Sequence, residues 1–123
     1  MRHLAVLGCT GSIGTATLEV AAAHPGRLSI AALAAGRNRE LLREQCERFR
    51  PTCVSVAEPQ DASWLSSVLS YAPEVHAGAE GLLACALSPD ADTVVAAVVG
   101  ATGLASTEAA LRAGRRVCVA NKE

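Results

Sequence analysis

The sequence predicts an α/β fold, a single domain over residues 1–123 built as a doubly wound parallel sheet with helices on both faces. Three observations predict it. Short apolar runs alternate with helix-compatible stretches along the whole chain. The run Thr93-Val94-Val95-Ala96-Ala97-Val98-Val99 is almost unbroken apolar sequence, as a strand covered on both faces must be. The first apolar run, Leu4-Ala5-Val6-Leu7, passes directly into the turn Gly8-Cys9-Thr10-Gly11-Ser12-Ile13-Gly14 and then into a helical stretch.

That turn is a Gly-x-x-Gly-x-x-Gly pattern between a strand and a helix, the setting of a Rossmann-like dinucleotide site. Gly8 lets the chain turn sharply off the strand tip. Gly11 has no Cβ to hold a pyrophosphate away from the backbone, and Gly14 lets the first helical turn pack close on the strand. The helix start offers unpaired N–H groups and the positive end of its dipole to an anion. Thr10 and Ser12 add hydroxyl donors at the same place.

Taken in order, residues 12–24 are expected to be helical, with Ile13, Ala16, Val20 and Ala23 on one face, and Pro25-Gly26 ends the helix. Residues 28–34 are nearly all apolar and make a second buried strand, which delivers the chain to Ala35-Gly36-Arg37-Asn38. Residues 39–50 form a charged amphipathic helix with an inner stripe of Leu42, Cys46 and Phe49. Glu44 and Arg48 stand four apart on its wet face, the spacing of a weak ion pair. Pro51 stops it. Residues 53–56 are a short third strand, and residues 61–70 a helix with Trp64, Leu65, Val68 and Leu69 inward. A brief extended piece at 74–77 and a short helix at 79–87 follow, closed by Ser88-Pro89. The strand at 93–99 runs into a second glycine turn, Gly100-Ala101-Thr102-Gly103. A helix over 106–113 ends at Gly114, and residues 116–120 make a last strand before Asn121-Lys122-Glu123.

Composition narrows the function. Aromatic residues are only 2% of a chain that is 50% apolar, so the core must be built from Ala, Val and Leu. A formal net charge of −1 provides no electrostatic basis for binding nucleic acid or an anionic membrane. No apolar run approaches the roughly 18 residues of a membrane span. The chain opens Met1-Arg2-His3 and enters strand at once, which leaves no room for a targeting peptide and predicts a cytoplasmic protein. The five cysteines, at 9, 46, 53, 85 and 118, include no C-x-x-C pair and imply neither a zinc nor a disulfide framework. Cys9 sits in the glycine turn, where it is expected to face the anion site as a stabilised thiolate. His3, His24 and His76 show no ligand spacing.

Four clusters fall at predicted strand C-ends, where ligands bind in such sheets: 8–14, 36–38, 100–103 and 121–123. An NAD site places an acid at the end of the second strand to hold the ribose hydroxyls. Here that strand ends in Gly36-Arg37-Asn38, with no acid before Glu40. Arg37 is suited to fork onto a 2′-phosphate, and Asn38 to donate to it, so NADP is favoured over NAD.

These residues together resemble a particular family. Leu7-Gly8-Cys9-Thr10-Gly11-Ser12-Ile13-Gly14, Ala34-Ala35-Gly36-Arg37-Asn38, Val98-Val99-Gly100-Ala101-Thr102-Gly103-Leu104 and Ala113-Gly114-Arg115-Arg116-Val117, with Ala120-Asn121-Lys122-Glu123, look like 1-deoxy-D-xylulose 5-phosphate reductoisomerase. The resemblance covers essentially the whole chain. It implies an NADPH-dependent, divalent-metal-using (Mn2+ or Mg2+) enzyme of isoprenoid biosynthesis by the methylerythritol phosphate route. That family rearranges and reduces 1-deoxy-D-xylulose 5-phosphate to 2-C-methyl-D-erythritol 4-phosphate, as a homodimer. Carried over by motif, Thr10, Gly11, Ser12 and Ile13 would hold the NADPH phosphates, and Gly36, Arg37 and Asn38 the adenosine phosphate end. Asn121 and Glu123 would contact the cofactor near the reacting centre, and Lys122 would reach the substrate. The family's acidic metal ligands, substrate-phosphate site and lid lie beyond the Asn-Lys-Glu motif. The resemblance therefore implies the cofactor-binding portion of a larger enzyme, inactive alone. Two other readings stay open on the residues: the amino-terminal domain of another NADP-dependent oxidoreductase, and a free-standing NADP-binding module without chemistry.

Overall fold

The computed structural model describes residues 1–98 and 100–119. Strands β1 (Arg2–Leu7), β2 (Leu28–Ala34), β3 (Cys53–Val56), β4 (Glu74–Ala77), β5 (Thr93–Ala96) and β6 (Arg116–Val119) alternate with helices α1 (Ser12–Ala23), α2 (Arg39–Phe49), α3 (Pro59–Val68), α4 (Gly78–Ala86) and α5 (Ala101–Arg112). The strands form one sheet in the order β4-β3-β2-β1-β5-β6, and every pairing is parallel. The order reverses between β1 and β5, which makes the C-terminal ends of those two strands the switch point.

Each face of the sheet is covered. Leu4, Val6, Ile30, Leu33, Val54 and Val56 pack under α1, α2 and α3 with Leu18, Leu42 and Leu65. Ala5, Leu7, Ala32, Ala34 and Val94 pack under α4 and α5 with Cys85, Ala86 and Ala110. The second face is mostly alanine, so little side-chain bulk separates these two helices from the sheet. The β1–β2 register slips after Leu4, pairing Leu4 with Ile30 and Ala5 with Ala32. Ala31 is the extra residue of this bulge.

The structure departs from the sequence reading in several places, among them helix α3, which runs two residues earlier than the expected 61–70. Helix α5 starts at Ala101, five residues earlier than the expected 106, because Gly100 is its N-cap and Gly103 lies within its first turn. A Cβ at Gly103 would overlap the Val98 carbonyl oxygen, so this glycine serves close helix–strand packing rather than a loop. Strand β5 leaves the sheet ladder after Ala96, short of the predicted 99. Helix α1 buries Gly14, Leu18 and Ala21, not the stripe of Ile13, Ala16, Val20 and Ala23; Val20 is 53% exposed. The contact of Gly14 with the turn sets the rotation of this helix, which turns Leu18 inward and leaves Ile13 and Val20 outside. Finally, Arg48 pairs with Glu19 of α1 at 3.0 Å instead of with Glu44. A tertiary partner was within reach, although an exposed pair of this kind contributes little.

Candidate nucleotide site at the sheet switch point

The backbone of the first turn is tied down from three sides. The N–H groups of Gly8 and Cys9 both donate to the Ala34 carbonyl at the end of β2, at 2.8 and 3.0 Å. The Gly11 N–H donates to the Gly8 carbonyl at 3.2 Å, closing a tight turn. Gly8 has φ of 86°, a left-handed conformation that costs glycine nothing. It also lies against Ala97 and Val98, which brings the turn onto the path of the chain leaving β5. A Cβ at Gly14 would overlap the Gly8 carbonyl oxygen and the Cys9 backbone, so only glycine fits there.

Gly11 is different. A Cβ built on it would meet a single neighbour, the Gly8 carbonyl oxygen, at an ordinary 3.6 Å. The space above it is open, and Gly11 is the N-cap of α1 with no side chain to cap the helix. The first N–H groups of α1 therefore have neither a helical nor a side-chain partner among the described residues. Gly11, Ser12 and Ile13 are exposed around this helix end, and Thr10 is half-buried beside it. The arrangement is an anion cradle, with backbone donors and the helix dipole converging on one spot.

Beside it, β2 ends at Ala34 and the chain presents Gly36, Arg37 and Asn38, all exposed. Asn38 caps α2, its side-chain oxygen accepting from the Leu41 N–H at 3.2 Å. Its NH2 group is still free to donate. The two neighbouring arginines differ. Arg39 pairs with Asp61 at 3.1 Å and lies 4.3 Å over the Trp64 ring. Arg37 has no ion-pair partner among the described residues. The structure thus brings Thr10, Gly11, Ser12, Ile13, Gly36, Arg37 and Asn38 to adjacent strand ends. Asn121, Lys122 and Glu123 lie outside the described residues.

Cys9 does not face the anion site. It is fully buried among Leu4, Val6 and Leu18, and burial pushes its thiol far above the ordinary range, so it is no thiolate. Its carbonyl accepts from Gln45 Nε2 of α2 at 2.9 Å. Gln45 is a site-supporting residue that sequence reasoning missed. The signal was its place between Leu42 and Cys46 on the buried stripe of α2.

Comparison with known proteins agrees with this geometry. The family model described as 1-deoxy-D-xylulose 5-phosphate reductoisomerase matches residues 4–123. The enzyme of that name from Geobacter metallireducens is 54% identical over 124 residues, covering 100% of this chain and 32% of the relative. That from Nitratidesulfovibrio vulgaris is 49% identical, covering 99% of this chain and 30% of its own length. Among solved structures, a DOX-P reductoisomerase in complex with NADPH, fosmidomycin and magnesium superposes with a TM-score of 0.91 at 39% identity, over 98% of this chain and 30% of the other. The Zymomonas mobilis enzyme in complex with NADPH gives 0.89 at 36% identity, over 98% of this chain and 32% of the other. The chain spans about a third of the length of the curated relatives it matches. With its glycine turn, its sheet order and a match along nearly its whole length, the chain belongs to the 1-deoxy-D-xylulose 5-phosphate reductoisomerase family.

Proposed function

We propose that residues 1–123 are the NADPH-binding domain of a 1-deoxy-D-xylulose 5-phosphate reductoisomerase, the cytoplasmic, homodimeric NADP-dependent oxidoreductase and isomerase that rearranges and reduces this substrate to 2-C-methyl-D-erythritol 4-phosphate. The observation that carries the reading is the open, uncapped start of α1 over Gly11, set beside an Arg37 that has no ion-pair partner among the described residues. Together they supply the donors that a dinucleotide's pyrophosphate and 2′-phosphate call for. The N–H groups of Ser12 and Ile13, with the Thr10 and Ser12 hydroxyls, hold the pyrophosphate. Arg37 and the Asn38 amide hold the 2′-phosphate, and Gly36 lets the adenosine end pass close to the backbone. NADPH, when bound, supplies the hydride of the reduction.

Asn121 and Glu123 are proposed to hold the cofactor near its reacting end, and Lys122 to reach the substrate phosphate sugar. Family relatives are solved with magnesium. Mg2+ and Mn2+ call for a set of oxygen donors. Among the described residues the one group of three or more His, Cys, Asp or Glu donors within 4.8 Å is Cys53, Glu74 and His76, which does not suit either ion. We therefore assign the metal-dependent rearrangement to a chain that also carries those ligands, and expect residues 1–123 alone to bind nucleotide without turnover.

The test is fluorescence titration of the 123-residue chain with NADPH and NADH, followed by NADPH oxidation assays with 1-deoxy-D-xylulose 5-phosphate and Mg2+ or Mn2+. Tighter binding of NADPH without oxidation is the expected outcome. Equal affinity for the two nucleotides, or no binding by a folded chain, sinks the assignment.

A further inference from the structure

At the far edge of the sheet from β5 and β6, three metal-ligating side chains converge that the nucleotide site does not use. Cys53 and Glu74 open β3 and β4 and are paired in register, and Ser55 is paired with His76 two residues on. Strand alternation places residues 53, 55, 74 and 76 on the same face, the one covered by α4. The Cys53 sulfur, a Glu74 carboxylate oxygen and a His76 ring nitrogen all lie within 4.8 Å of one another. Glu74 Oε1 is 3.1 Å from His76 Nε2. Exposure rises stepwise across the group: Cys53 is buried, His76 half-buried and Glu74 exposed. A cation therefore has an open approach from the edge strand and a sulfur at the inner end.

Helix α4 supports this arrangement. Gly81 is buried against the Ser55 hydroxyl and His76 Cβ, where any side chain would overlap Ser55. One turn later, the Cys85 sulfur lies 3.8 Å from that of Cys53. Cys85 is fully buried behind Cys53, so its sulfur backs the Cys53 sulfur and does not face the approach from the edge strand.

We propose that Cys53, Glu74 and His76 form a three-ligand site for a zinc-class divalent cation, with a fourth position open to water. The donor set carries the choice of ion. Zinc accepts thiolate, imidazole and carboxylate in one tetrahedral shell, whereas Mg2+ and Ca2+ take oxygen ligands. Binding requires Cys53 as thiolate and His76 neutral, so a proton is released from the Cys53 thiol to solvent as the cation enters.

The test is Co2+ titration of the reduced, chelator-treated 123-residue chain, followed by Zn2+ competition. The expected result is one Co2+ per chain, with a sulfur-to-cobalt charge-transfer band and the visible bands of tetrahedral cobalt, displaced by Zn2+. Cys53→Ser should abolish the charge-transfer band. Cys118→Ser, which removes the exposed thiol, should leave it intact. Glu74→Gln and His76→Ala alter an exposed and a half-buried side chain at the sheet edge and should preserve the circular dichroism spectrum while weakening Co2+ by about tenfold or more each. These two variants decide the matter if Cys53→Ser does not fold. A missing band in the unmodified chain, a band that survives Cys53→Ser or vanishes with Cys118→Ser, or an affinity unmoved by both Glu74→Gln and His76→Ala overturns the proposal.

Discussion

Gln45 Nε2 donates to the Cys9 carbonyl at 2.9 Å, so a side chain from the middle of α2 holds the glycine turn from beneath. Only the amide nitrogen of Gln45 can face a carbonyl, which fixes its orientation, and its oxygen is left buried without a partner among the described residues. The residue thus gives up part of its own hydrogen-bonding capacity to fix the turn. Gln45→Leu removes the donor and the orphan acceptor together. We expect a net stability loss of about 1 kcal/mol in urea denaturation. NADPH binding should fall further than that loss explains, because the turn is no longer held. Unchanged nucleotide affinity in Gln45→Leu would reduce this contact to ordinary core packing.

The glycines of the turn should separate folding from binding. Gly14→Ala places a Cβ into the Gly8 carbonyl and the Cys9 backbone, neither of which is the movable end of a flexible side chain. The expected cost is about 1–3 kcal/mol of stability. Gly11→Val meets only an atom 3.6 Å from its Cβ and should fold with stability within about 1 kcal/mol of the parent. Its branched carbons stand where a pyrophosphate must approach, so NADPH binding should be lost. Circular dichroism with nucleotide titration distinguishes the two variants. A folded Gly11→Val that binds normally would show Gly11 to be a turn residue only.

Much of the architecture was legible in the sequence, and the departures have identifiable causes. Strands β2, β3 and β4 match the predicted spans because Pro25-Gly26, Pro51 and Pro73 separate them sharply from the preceding helices. Glycine ordinarily punctuates loops, so pattern alone starts α5 too late, whereas Gly103 allows a helix to lie against the Val98 carbonyl. The buried face of α1 was misread for a related reason. Bulk suggested Ile13 and Val20, but contact with a backbone selects Gly14, and Leu18 and Ala21 follow at helical spacing. Cys9 was beyond reach of pattern reading, since the positive φ of Gly8 breaks the alternation that would predict its direction. The grouping of Cys53 with Glu74 and His76 depends on strand register, which no spacing between residues 53 and 76 reveals.

Cofactor choice should rest on Arg37. Its neighbour Arg39 is committed to Asp61 and Trp64, which leaves Arg37 as the guanidinium at the β2 tip without an ion-pair partner among the described residues. A charge-assisted contact to the 2′-phosphate contributes about 1.5–3 kcal/mol, roughly ten- to hundredfold in affinity. Arg37→Asp should abolish the preference for NADPH over NADH, since an acid there repels the phosphate and can accept from ribose hydroxyls. Stability should hardly change, because Arg37 is exposed. Titrating both nucleotides against both proteins checks this, and a preference that survives the substitution would remove Arg37 from the specificity argument.

Stability should also fall at alkaline pH, and the core cysteines supply the reason. Burial pushes the Cys46 thiol up to about 12 and raises Cys9 further, while contact with the Cys53 sulfur, with burial behind it, raises Cys85. Tyr71, whose hydroxyl donates to the Pro51 carbonyl at 2.7 Å, is raised as well, again chiefly by burial. A group whose pKa is higher in the folded than in the unfolded chain keeps its full contribution below the unfolded value. It loses that contribution as pH rises from there toward the folded value. Unfolded cysteine titrates near about 8.5 and tyrosine near about 10, so the loss begins just above neutrality and steepens beyond. Cys53, held below its ordinary range, has the opposite sign, but its gain is complete once the unfolded thiol has ionised and cannot offset the decline at higher pH. The urea midpoint should therefore be level around neutral pH and decline steadily above about pH 8.5. Cys46→Ala removes one of the raised groups at the cost of a cavity. Its midpoint should be lower at every pH, yet fall less steeply with pH than that of the unmodified chain. A midpoint that stays level through the alkaline range, or an unaltered slope in Cys46→Ala, would show that these buried thiols do not govern the response.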